Sequence, residues 1–414
     1  MRMRYTAPPR PAGFAGLAAF TVLAAALAAP AAATAQAVGR AMGPEALGFK
    51  KSFVVEIRNP SPITLENHAV IIDVAAIRAG VAWDFNTYMY ALFEEKGGEY
   101  SLVVSQADDL DKDRYHDEIV LVRTLPPSST TRLVCYWTPE RSLPRLITAE
   151  KAFAREAWEL EGPEAGWESN LAAFKLVRGR IEFYGKLQPG LILKKLPAPE
   201  TKLQDWGMDV LDAGESAGLG GLVLWDGGTR IPLFGAGAPQ PKLTVISPGP
   251  IRALVKAEYP ALKTGGGDVA LTVYYSAFAD NAYSRQDVTV VAKPGGAPVV
   301  LAPGIQELAG GTLSLDKDKG TLTVWGGGAG KAGEIGLAAI FDPAQFIGLD
   351  KAGHGYGAVK LGRYAAGKLT YWVAGAWERG VTAPGVPAAK NWARKAEELA
   401  ARLRVPVAVE FKER

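Results

Sequence analysis

The densest group of chemistry-bearing residues is Asp109-Leu110-Asp111-Lys112-Asp113-Arg114-Tyr115-His116-Asp117. Asp109, Asp111, Asp113 and Asp117 fall at loop positions 1, 3, 5 and 9, the alternation that lets carboxylates converge on one hard cation. A structural Ca2+ is the ion expected there. Two positions depart from such a loop: Arg114 stands where the sharp turn asks for Gly, and Val120 stands where a bidentate Glu would close the site. The plain alternative is an acidic, solvated turn between two strands.

Other motifs read as negatives. Gly326-Gly327-Gly328-Ala329-Gly330-Lys331 lacks the Ser/Thr that would hold magnesium, since Ala332 follows, so it is not a phosphate loop. Gly218-Leu219-Gly220-Gly221 leads into a strand, whereas a dinucleotide fingerprint opens a helix. The three histidines, His68, His116 and His354, sit in no zinc motif, and no nucleophile elbow occurs. His354 is flanked by glycines that let backbone approach a ligand. Cys135, the only cysteine, lies in the strand-like run Leu133–Trp137 and reads as inert packing. Trp167, Trp206, Trp225, Trp372 and Trp377 each stand beside polar, charged or glycine positions. A flat indole with a polar edge suits stacking on sugar rings, although most tryptophans are core residues.

The elements that must position these groups are mostly strands. Forty-seven Gly and 28 Pro cut the chain into short runs, many alternating apolar with polar residues, as half-buried antiparallel strands do. No strand–helix alternation suggests a doubly wound sheet. Two helices are expected. One runs from Thr148 to Leu160, with Phe153, Ala157 and Leu160 on one stripe. The other spans 387–404, with Trp392, Ala396, Leu399 and Leu403 recurring at helical spacing. The pattern predicts a mostly β protein: a small β-sandwich-like domain over 45–140, and a larger antiparallel supersandwich-like domain over 164–414 capped by the terminal helix.

Residues 1–35 read as an export signal. Arg2, Arg4 and Arg10 precede an apolar run from Phe14 to Ala33, and Ala33-Thr34-Ala35 supplies a small-residue cleavage site. Cleavage would deliver the chain to the periplasm or the medium, with no stable membrane insertion afterwards. It also removes three of the 46 basic residues and none of the 43 acidic ones, leaving 43 of each. A neutral mature chain lacks the basic excess of a nucleic-acid or anionic-membrane binder. With one cysteine there is no internal disulfide, so core burial must supply stability, and 48% hydrophobic composition allows it. Nothing here sets an oligomeric state.

Several blocks taken in order carry a resemblance. They are Ser105-Gln106 with the acidic run and Glu118-Ile119-Val120, then Gly166-Trp167-Glu168-Ser169 leading to Phe183-Tyr184-Gly185-Lys186. Trp206-Gly207-Met208-Asp209-Val210-Leu211 follows, running through Gly214, Gly218 and Gly220-Gly221 to Trp225. Last come His354, Tyr371-Trp372 and Gly375-Ala376-Trp377. Together they resemble domain-of-unknown-function family 4861, secreted bacterial proteins that accompany polysaccharide-degrading enzymes, often those for uronate-containing glycans. The resemblance implies a mutarotase-like β fold and an oligo- or polysaccharide partner.

Three functions stay open: a lyase or hydrolase, a non-catalytic glycan-binding protein, and a calcium-stabilised structural protein of the envelope. Elimination at a uronate needs a cation on the carboxylate and a base for the C5 proton. Lys186, Arg230, Arg252 and Arg285 are the candidate cations, and His354, Tyr184, Glu168 and Asp209 the acid/base candidates. Hydrolysis needs two carboxylates flanking the bond, for which Glu168 and Asp209 are the first pair. Trp167, Trp206 and Trp377 are the candidate stacking surfaces. A cleft with His or carboxylate opposite Arg and Trp would favour an enzyme.

Overall fold

A computed structural model describes residues 43–139, 149–156, 165–195, 200–351 and 353–414. Residues 1–35, the expected export signal, lie outside these residues. The described residues form two β-sandwiches. In the smaller, a five-stranded antiparallel sheet has the order 408–413, 51–59, 129–137, 90–96, 99–103. It packs on a three-stranded sheet of Leu65–Asp73, Glu118–Leu125 and Ser105–Asp108. Alternation turns Phe53, Val55 and Ile57 inward against Leu65, Val70, Ile119 and Leu121. Helix α1 (Val74–Gly80) follows directly on Asp73, whose carboxylate caps it by accepting from the Ala75 and Ala76 amides. Its outermost strand, Ala408–Glu413, comes from the far end of the chain.

The larger sandwich sets one eight-stranded sheet, in the order 242–248, 252–264, 267–278, 283–292, 366–377, 334–340, 321–327, 314–316, against two five-stranded sheets. One of these runs 207–209, 180–186, 173–177, 165–169, 152–156, and the other 229–232, 219–226, 299–306, 356–364, 346–350. A parallel bridge at Ile181 and Gly218 links them. Ala253, Val255, Val273 and Val288 of the large sheet share a core with Trp167, Phe174, Leu222 and Leu301 of the smaller ones. The outer face of the large sheet is covered by the small sandwich and by helix α2 (Ala388–Leu403), whose Trp392 and Ala396 pack with Val120, Phe278 and Trp325. The predicted terminal helix is therefore present, with Pro387 as its N-cap. Among the described residues, no helix is long and apolar enough to cross a membrane.

The predicted helix from Thr148 to Leu160 is corrected. Ala152–Glu156 is a strand paired with Ala165–Ser169, while Thr148 and residues 157–160 lie outside the described residues. Ala152 and Ala154 alternate into the core and Phe153 and Arg155 turn away from it, a period of two that alanine's helical propensity masked.

Candidate functional site

Four of the predicted polar positions fall on the outer face of the 152–209 sheet. Cross-strand register sets Phe153, Glu168, Ala173, Tyr184 and Asp209 side by side in one row. Glu168 and Asp209 are three strands apart, about 14 Å at the usual strand spacing. That is wider than the roughly 5–9.5 Å of a hydrolytic carboxylate pair, so the expected pair does not form.

Glu168 is instead bound to Lys186 (2.6 Å) and to the amides of Ile192 (2.9 Å) and Leu193 (2.7 Å). Lys186 also donates to the carbonyls of Ser169 and Gly190. Both side chains are fully buried, and burial pushes the Glu168 carboxyl up and the Lys186 ammonium down. This closed, satisfied pair holds the 187–193 segment over the sheet and leaves neither group for a substrate. Tyr184 and Asp209 belong to a second cluster. Lys175 bonds to Asp209 and lies 3.1 Å from Glu182 and 3.8 Å from Glu200, whose carboxylate accepts the Tyr184 hydroxyl at 2.6 Å. Burial raises the Asp209 carboxyl to about 6, with Glu182 adding to the rise against the pull of Lys175. Burial and Glu200 raise the Tyr184 hydroxyl.

Two expected stacking surfaces are corrected by burial. Trp167 turns to the opposite face of the strand from Glu168, packs on Tyr275 with centroids 4.8 Å apart and donates to Ser284. Trp377 is equally buried and donates to the Ala332 carbonyl. Its indole lies on Gly185, where a Cβ would stand 2.4 Å from the ring. Trp206 is half-buried, edge-on to Tyr184 at 5.8 Å. His354 is exposed in the loop before Tyr356–Tyr364, and Arg230 lies on the outer face of the other five-stranded sheet. Neither joins the Glu168 row.

An open concavity lies elsewhere, between the small sandwich and the outer face of the eight-stranded sheet. This groove has a volume of about 640 Å³ and brings in two predicted cations, Arg252 and Arg285, with His68, Tyr274, Asp287 and Trp372. Register places Tyr274 opposite Asp287, Ser276 opposite Arg285, and Trp372 on the other side of Arg285, all on one face. Tyr274 and Arg285 are therefore diagonal neighbours, within reach of each other's long side chains. Arg285 donates to Asp287 (2.8 Å), which also accepts the Thr370 hydroxyl (2.6 Å), and keeps about a third of its side chain exposed. His68 enters from the facing sheet; burial, aided by Arg285, lowers its pKa to about 4, so it is neutral at pH 7. Burial and Glu258 raise the Tyr274 hydroxyl, keeping it protonated.

Arg252 forms the groove's floor at the joint of the sandwiches. It is almost fully buried, lies 2.5 Å from Asp108 and 2.7 Å from Glu118, and is bound through its backbone to Gln106. The Ser105-Gln106 to Glu118 block thus holds the two sandwiches together. Sequence reasoning missed Tyr274, Asp287 and His68 as site residues. The available signal was the polar run Ser284-Arg285-Gln286-Asp287, which opens a strand whose second half is mostly apolar.

In the acidic loop, Asp109, Asp111 and Asp117 each offer an oxygen within 4.8 Å of the others; Asp113 is outside that set. Arg114 adopts a φ of 79°, the left-handed turn for which glycine was expected.

The family described as Domain of unknown function (DUF4861) matches residues 57–409. No curated protein matches the chain. Among solved structures, a protein in the Glycosyl Hydrolase Family 38 from Enterococcus faecalis superposes with a TM-score of 0.49 at 9% identity, covering 92% of this chain and 50% of that one. An alpha-mannosidase from Enterococcus faecalis V583 gives 0.42 at 9% identity, covering 88% and 46%. The chain spans about half the length of these two proteins.

Proposed function

The chain belongs to the DUF4861 family, and from that premise we propose an exported carbohydrate-active enzyme that cleaves uronate-containing oligosaccharides by β-elimination in the groove between its sandwiches. The observation that carries this reading is the convergence of Arg285, Tyr274, His68 and Trp372 on one concave surface. Elimination breaks the C5–H and C4–O bonds and forms a C4=C5 double bond. Arg285 neutralises the carboxylate as negative charge develops on it. The neutral imidazole of His68 takes the C5 proton, and the protonated hydroxyl of Tyr274 delivers one to the departing oxygen. Trp372 offers a ring face beside them. Arg285 engages Asp287 through Nε and Nη2, which leaves Nη1 for the substrate carboxylate, while hydrolysis would need Glu118 and Asp287 as its carboxylate pair and both are ion-paired to arginines.

The test is incubation of the purified chain with a panel of uronate and neutral glycans, following the ultraviolet absorbance of the unsaturated product. The reading expects that absorbance from uronate glycans, and its loss in Arg285→Ala and Tyr274→Phe proteins that remain folded. New reducing ends without the absorbance would mean hydrolysis, and binding without either product would mean a glycan-binding protein.

Two further expectations belong to this reading. Cleavage after residue 35 should appear as a shortened N-terminus in protein recovered from the periplasm or medium. Calcium held by Asp109, Asp111 and Asp117 would stabilise the loop; Tm should rise with added calcium and fall with a chelator, and an unchanged Tm would remove the ion from the proposal.

A further inference from the structure

We propose a second ligand site, for a carboxylate, on the outer face of the five-stranded sheet that runs from Thr229–Pro232 to Phe346–Asp350. It is separate from the groove and uses none of its residues. Trp225 and Arg230 are direct cross-strand neighbours, so both project from the same face. Tyr356 joins them on that face, packed with Val223, Phe234, Ala302 and Ala358. The Arg230 guanidinium carbon lies 4.9 Å from the Tyr356 ring centroid. The Lys360 ammonium lies 3.4 Å from the Trp225 ring centroid.

Three polar atoms on this face are buried and have no hydrogen-bond partner: Arg230 Nη2, the Tyr356 hydroxyl and Trp225 Nε1. Tyr356 itself is only 3% exposed. Buried polar groups are ordinarily satisfied, and three exceptions among three neighbours require a cause. All three can donate, so the complement they lack is an acceptor. Arg230 already gives Nε to Asp350 at 3.2 Å, which leaves the other edge of its fork for a second oxyanion. Arg230 and Lys360 place two positive charges around this point, with Asp350 countering one. The acceptor is therefore anionic, and a planar carboxylate matches the guanidinium fork better than a single-point acceptor does. Exposed His354, with its ring centroid 6.2 Å from that of Tyr356, stands where this face meets solvent.

The experiment is calorimetric titration of the full mature chain carrying Arg285→Ala, so that carboxylate binding in the groove is removed and the two sites are read apart. The probes are a galacturonate trisaccharide, a neutral trisaccharide and acetate. The site predicts binding of the acidic trisaccharide, weakened about tenfold by Tyr356→Phe and more by Arg230→Gln. It also predicts that Tyr356→Phe leaves Tm unchanged or raised, because the variant deletes an unpartnered buried hydroxyl. Acetate binding with the same variant sensitivity supports a site for carboxylates at large, and binding of the acidic trisaccharide alone a sugar-borne one. Equal binding of the neutral sugar, or titrations unaffected by either variant, would overturn the proposal.

Discussion

Glu168 and Lys186 form a fully buried ion pair on the outer face of the 152–209 sheet. Trp167 and Glu168 are adjacent in sequence, a pairing that by itself suggests a sugar site. On a strand, adjacent residues face opposite sides, so the indole and the carboxylate cannot share a site. Asp209 was better placed: it is a buried carboxylate among like charges, but its partners Lys175, Glu182 and Glu200 come from elements no local motif connects. Two predictions follow at this scale. Glu168→Ala strands the Lys186 ammonium in a dry interior and should cost about 3–5 kcal/mol in a urea titration. Adding Lys186→Met should recover much of that loss, and a loss under 1 kcal/mol in the single variant would contradict the burial argument. For Asp209, the folded carboxyl at about 6 lies above its ordinary 3.8, so the folded state holds the extra proton in between. Its contribution is greatest below about pH 4 and declines as pH rises to about 6. His68, lowered to about 4, works the opposite way in the same range. The difference between Asp209→Asn and the parent isolates Asp209: the variant's relative stability should climb with pH between 4 and 6, then level off.

At the scale of elements, period-two patterning made the strands and the terminal helix legible, because those signals are local. Pairing was not legible. Ala408–Glu413 is short, follows a proline, and finds its partner Lys51–Asn59 at the other end of the chain. Phe411 packs edge-on to Phe53 with centroids 6.3 Å apart, and Val409 also packs against the small sandwich's core. Deleting residues 406–414 would turn Lys51–Asn59 into an open edge and forfeit the partial burial of these two side chains. That loss is on the order of 2–4 kcal/mol from the transfer of side chains of this size. Hydrogen exchange provides the local reading. The amides of Lys51–Asn59 that face the lost strand should exchange fast in the truncated protein, while those of the 173–186 strands keep their protection. Uniform loss across both sandwiches would mean that the last strand supports the whole molecule.

For the molecule as a whole, the decisive feature is that the groove has walls from two separate cores. Phe53, Ile72 and Leu121 belong to one core, and Val255, Val273 and Leu301 to the other. Arg252 lies between them, bound by Asp108 and Glu118 from the small sandwich while standing on the large sheet. Gln106 reinforces the joint, accepting from the Ile251 and Arg252 amides and donating to Ser247. Replacing Arg252 with Met leaves both cores intact but places two carboxylates at the joint without their cation. The cost should therefore fall on the coupling between sandwiches, more than on either one. In calorimetry the parent should unfold in one cooperative transition, and Arg252→Met in two, with the small sandwich melting first because its core is smaller. A single transition at lower temperature would mean that α2 and the shared apolar contacts couple the sandwiches without this arginine. The same experiment reaches function through linkage. A ligand that spans the groove binds only when both walls are in place, so it should raise the lower of the two transitions toward the upper. A ligand confined to the large sheet would raise the upper transition alone and widen the gap, and the substrate could then be assigned to that sandwich.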